Sequence, residues 1–170
     1  MRKTHIGSTS TFILLTPDPL SGGNGQEIDP LAQNAGDVDT SMPLLVPEKL
    51  YNMHCAKVES KTNDAGVGMI RIILKTTKDE MDTANNVVNK GFPIFENFIY
   101  TPTGNLTIEQ IKKSGAVILK AFGLATTQIR DFVNNPKMIE DKIVCVKMKT
   151  RKEKDGYPAS TQVGSWIEVK

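Results

Sequence analysis

Apolar and polar positions alternate from Val67 to Thr77, with Ile70, Ile72 and Leu74 on one side and Met69, Arg71, Ile73 and Lys75 on the other. A period of two marks a strand with one buried face, so this run predicts a strand that presents cations outward. Tyr51 to Glu59 alternates less regularly and predicts the preceding strand, with Asn63-Asp64-Ala65-Gly66 as the turn between them. Gly91 to Tyr100 predicts a third strand, rich in aromatics, with Pro93 near its start, where a missing backbone donor matters least. Ile143 to Thr150 and Thr161 to Val169 predict a closing hairpin, and the Asp155-Gly156 pair between them suits a tight turn.

One region carries the helical period instead. Ile108, Ile111, Ile118, Leu119 and Phe122 share a stripe, Thr107-Ile108-Glu109-Gln110 fits a capping box, and Gly123 is placed to end the helix. Thr127 to Asn134 predicts a second, short helix closed by Asn135-Pro136, and Lys78 to Asn89 predicts an exposed polar connector.

The resulting order predicts a mainly β fold with a helical insertion: a five-stranded, OB-fold-like Greek-key barrel with helices between its third and fourth strands. Residues 47–170 form this expected domain. Residues 1–46 hold no regular period, are rich in Gly, Ser, Thr, Asn, Asp and Pro, and predict a flexible acidic arm. Its apolar patch Phe12-Ile13-Leu14-Leu15 reads either as a docking segment or as an added edge strand.

An apolar fraction of 39% suits an ordinary core. No stretch approaches the roughly 20 apolar residues of a bilayer span, and Phe12 to Leu15 is too brief for a signal-peptide core, so no membrane and a cytoplasmic location are expected. Cys55 and Cys145 then read as core thiols rather than a disulfide. The net charge of +2 divides into −3 on residues 1–45 and +5 on the rest, which is modest, so clustering carries more weight than the total.

Catalytic chemistry finds little material. His5 lies in the expected arm and His54 in a strand, neither in metal-binding spacing with the cysteines, and Gly22-Gly23-Asn24-Gly25 lacks the Lys-Ser/Thr of a phosphate loop. Asp79 and Glu80, like Glu140 and Asp141, read as solvating groups, with weak divalent-ion binding by Asp79, Glu80 and Asp82 together as the alternative. Neither an enzyme, a cofactor nor a metal is expected.

Polyanion binding finds more. Lys57, Arg71, Lys75, Lys147, Lys149, Arg151, Lys152 and Lys154 supply cations, and Tyr51, Phe98, Tyr100, Tyr157 and Trp166 are candidate faces for unstacked bases. Phe92, Phe95 and Phe122 are assigned to the core, while Trp166 stays open between capping a barrel and stacking a base. The predicted nucleic-acid contacts are therefore the eight cations with Tyr157 and Trp166.

Four stretches together carry a family resemblance: Pro47-Glu48-Lys49-Leu50-Tyr51; Gly68-Met69-Ile70-Arg71-Ile72-Ile73-Leu74-Lys75; Lys120-Ala121-Phe122-Gly123-Leu124; and Ile139 to Lys147 followed by Asp155-Gly156-Tyr157. In their order and spacing, from Leu45 to Val169, the chain resembles the phage-encoded single-stranded-DNA-binding proteins with an OB-fold. The resemblance implies a non-catalytic protein that coats single-stranded DNA during replication, recombination or repair in the host cytoplasm, alongside replication or recombination proteins. Many such proteins end in an acidic tail, whereas this chain ends Trp166-Ile167-Glu168-Val169-Lys170 and carries its acidic segment at the N-terminus. An assembly module docking through that arm is the alternative function, and a homo-oligomer is left open.

Overall fold

The structure is a computed structural model that describes residues 42–154 and 156–169, all within one compact unit, Thr40–Lys170. The expectations for the arm, for Phe12–Leu15, for His5 and for Gly22–Gly25 lie outside the described residues. Met42 to Val46, at the end of the expected arm, do belong to the folded unit. Leu45 is fully buried, its N–H donates to Thr161 Oγ1 at 2.9 Å, and Thr83 N–H donates to Leu44 O at 2.8 Å.

Five strands form one antiparallel sheet: β1 (Leu50–Thr62), β2 (Gly68–Thr76), β5 (Pro93–Ile99), β6 (Ile143–Arg151) and β7 (Ser160–Trp166), in the order β5-β2-β1-β6-β7. A smaller pair, β3 (Glu80–Met81) and β4 (Val87–Val88), occupies the connector predicted as a loop. Its carboxylates are structural rather than solvating. Glu80 is buried and pairs with Lys49 at 2.6 Å, and Asp82 Oδ1 accepts the N–H groups of Ala84 and Asn86, both at 2.8 Å.

The irregular alternation of β1 has a physical cause. A bulge between Cys55 and Lys57 changes the phase of the strand, so His54 and Lys57 both leave the core face although they are three residues apart. The N-terminal part of β1 pairs with β6, from Leu50↔Lys147 to His54↔Ile143, and the remainder pairs with β2, from Met53↔Thr76 to Thr62↔Gly68. The turn between β1 and β2 is held by Asn63, whose Oδ1 accepts from Ala65 and Val67, with Gly66 at φ +76°.

Helix α1 (Ile108–Ala121) starts on the predicted capping box: Thr107 Oγ1 accepts from Gln110 N–H and Gln110 Oε1 accepts from Thr107 N–H at 2.8 Å. Its stripe Ile111, Ile118, Leu119 is buried, as is Phe122, whereas Ile108, in the first turn, is exposed. Gly115 lets the helix approach the sheet, since a Cβ there would stand 3.1 Å from Phe98 Cζ. Helix α2 (Ile129–Asn134) adds Phe132, which stacks on Phe98 with ring centroids 5.7 Å apart. The core is thus the inner face of the sheet, with Ile70, Ile72, Leu74, Val144, Val146 and Met148, closed by these helices.

The outer strands β5 and β7 are not ladder partners but meet through a side chain: Val163 N–H donates to Glu96 Oε1 at 2.5 Å. Both cysteines are free. Cys55 is in the core, where burial pushes its thiol up to about 12, while Cys145, expected there too, lies half-buried opposite exposed Asn52.

Candidate nucleic-acid interface

The outward residues of β5, β2 and β1 form cross-strand rows. Pro93, Lys75 and His54 make one; Phe95, Ile73 and Lys57 the next; Asn97, Arg71 and Glu59 the third; and Ile99, Met69 and Lys61 the last. Alternate residues of a strand lie about 6.6 Å apart. Arg71, Ile73 and Lys75 therefore set a cation, an aliphatic platform and a second cation at that interval, with the predicted parity.

The cations differ in how free they are. Lys75 is exposed, and among the described residues it has no carboxylate partner. Arg71 is half-buried, and its Nε is enclosed without a hydrogen-bond partner. Lys57 and Lys61 both bind Glu59, at 2.6 and 3.1 Å, and these bonds hold the Glu59 carboxyl down to about 2. Lys147 lies opposite Leu50 and reaches Glu48 at 3.5 Å. Lys149 stands opposite Gln162, and Arg151 opposite Ser160.

At the tip of the β6–β7 hairpin Lys154 and Tyr157 exchange backbone hydrogen bonds at 3.2 and 3.0 Å, and Gly156 has φ +78°, while the expectation for Asp155 lies outside the described residues. Arg151, Lys152, Lys154 and Tyr157 are all exposed at this tip, Tyr157 to 67%. The start of β7, next to the tip, meets the start of β5: Ser160, Thr161 and Gln162 line one cavity of about 240 Å³ with Pro93 and Phe95. Phe95 thus stands opposite Ile73 on one side and beside the strand that pairs with Lys149 and Arg151 on the other.

The aromatic residues sort differently from expectation. Tyr51 and Phe98, expected as stacking faces, are buried at 1% and 3% exposure, Tyr51 donating its hydroxyl to Val46 O. Tyr100 lies flat over Gly68, where an added Cβ would come within 2.5 Å of the ring. Trp166 is half-buried against Phe122, ring centroids 5.9 Å apart, on the wall of a groove that also holds Val117, Ile118 and Leu106. Phe95, assigned to the core, is 52% exposed on the outer face opposite Ile73. Strand parity explains the exchange. Phe95 and Phe98 are three apart and must face opposite ways, and α1 with Phe132 covers the side of Phe98.

Among the described residues no three His, Cys, Asp or Glu side chains are grouped to hold a metal ion, and no helix is long and apolar enough to cross a membrane. No protein-family model and no curated protein matches the chain.

Proposed function

We propose that this protein binds single-stranded DNA, without strong sequence preference, across the outer face of β5, β2 and β1 and the tip of the β6–β7 hairpin. The observation that carries the reading is Phe95, an exposed ring opposite Ile73, in the row between those of Arg71 and Lys75 and sharing a cavity with the start of β7 in the cationic hairpin. Phosphate contacts alone do not select a single strand. An accessible ring among cations offers a stacking face, worth about 1–3 kcal/mol per base whatever the base.

The strand order, with its outer strands meeting at Glu96 and Val163, supports an OB-type barrel, whose strand face and strand-joining loops commonly take single strands. On this reading the protein is a non-catalytic accessory of DNA replication, recombination or repair, as the family resemblance implies. Replacing Arg151, Lys152 and Lys154 together with Ala tests it. Oligo-dT affinity is expected to fall and the slope of log K against log salt to flatten by roughly 0.7 per lost phosphate contact, with the urea midpoint unchanged. An unchanged affinity and slope would remove the hairpin from the interface.

A further inference from the structure

Beside the row of Lys75 lies a second feature that the interface above does not use. A cavity of about 370 Å³ is lined by His54, Lys75, Thr76, Thr77, Lys90, Gly91 and Ile143. Two elements build it. His54 is the ladder partner of both Lys75 and Ile143, and the segment carrying Lys90 is folded back on the end of β2 by Gly91 N–H donating to Thr76 O at 3.0 Å and Thr76 N–H to Phe92 O at 3.1 Å. Gly91, at φ +90°, makes that return possible. Lys90 is held from behind, its own N–H bound to Asp79 Oδ1 at 2.7 Å, while its side chain is exposed.

The charges facing this cavity are mostly positive. Lys75 and Lys90 have no carboxylate ion-pair partner among the described residues, and the one acid at the imidazole is the exposed Asp141, whose Oδ1 is 3.4 Å from His54 Nε2. From the neighbouring elements, β1 adds Asn52, whose carbonyl accepts from Thr77 Oγ1, and β6 adds the apolar Ile143. Two ammonium side chains and an imidazole lining one open cavity supply the chemistry of a phosphate site.

We infer that the cavity between His54, Lys75 and Lys90 is a phosphate subsite that extends the single-strand path beyond Lys75. The inference rests on the proposed DNA binding, and it adds His54 and Lys90 to the residues that hold the strand. The phosphate is either an internal diester or a terminal monoester.

The test measures binding of oligo-dT, with and without a 5′-phosphate, to the wild type, His54→Gln and Lys90→Ala over a salt series, with urea unfolding of each variant. His54→Gln should weaken binding by up to about fivefold, the effect of one exposed contact, and Lys90→Ala should flatten the salt slope by roughly 0.7. A gain from the 5′-phosphate that vanishes in Lys90→Ala assigns the subsite to a terminal monoester; equal binding of both oligonucleotides, with the other effects present, assigns it to an internal diester. Folded variants that keep wild-type affinity and slope overturn the subsite and leave the binding reading standing. A wild type that binds no oligonucleotide overturns both.

Discussion

Glu96 on β5 accepts the backbone N–H of Val163 on β7 at 2.5 Å, and so joins the two strands that the sheet order leaves outermost. Val163 is buried, so its N–H has little access to water if the carboxylate is removed. Glu96→Ala is therefore expected to cost about 1–3 kcal/mol in urea unfolding, the penalty of an unsatisfied buried donor. Burial raises the Glu96 carboxyl above its ordinary 4.5, against the opposing pull of the Val163 N–H and of Lys149. The folded state thus keeps this proton to higher pH than the unfolded chain, and the contribution of the group to stability falls as pH rises through the interval above 4.5. Glu96→Gln keeps an acceptor without the charge. It should be at least as stable as the wild type at pH 7.5 and should flatten the decline with pH; a wild-type midpoint for Glu96→Ala would show that the bond does not tie the strands.

Phe95 and Phe98 provide a paired test of face. Phe95→Ala should weaken oligo-dT binding by about 1–3 kcal/mol with little change in stability, because the ring is more than half exposed. Phe98→Ala should instead cost about 3–5 kcal/mol of stability, because it removes a core ring stacked on Phe132. Oligonucleotide titration beside urea unfolding separates the two, and unchanged binding in Phe95→Ala would take the ring out of the interface.

Glu59 is the one acid in the rows of the proposed interface, where it holds Lys57 and Lys61. Glu59→Gln removes a negative charge and frees both ammonium groups for phosphate. Affinity for oligo-dT at low salt is expected to increase, and the salt slope to steepen. A weaker complex would mean that Glu59 positions the lysines rather than competing for them.

Trp166 is the only tryptophan, and it packs against Phe122 on the groove beside α1. If the ring only fills space at the helix, Trp166→Phe should lower the urea midpoint and leave oligo-dT affinity within about twofold. A loss of binding as large as that of Phe95→Ala would place a base at the groove instead.

Much of this was legible in the chain, and the limits follow from strand chemistry. Ile70, Ile72 and Leu74 against Arg71, Ile73 and Lys75 could be read directly because one parity is wholly apolar and the other carries charge. The capping box at Thr107 and the positive φ of Gly156 are local rules with local causes. The aromatic strand was not legible in the same way. Phe95, Phe98 and Ile94 present rings or aliphatic groups on both parities, so only the element packed against β5, here α1 with α2, decides which side is inside. The bulge near Cys55 likewise hides its phase change until the partner strand is in place. Glu80 looked like a solvent group because its partner, Lys49, is supplied by tertiary structure.

The most direct test of the proposed function is titration of the full chain against labelled oligo-dT at about 50 and 200 mM salt, the range over which several phosphate contacts change affinity by orders of magnitude. Binding at micromolar protein or below in the lower salt, weakening steeply in the higher, is the predicted result. No binding at micromolar protein in low salt would contradict it.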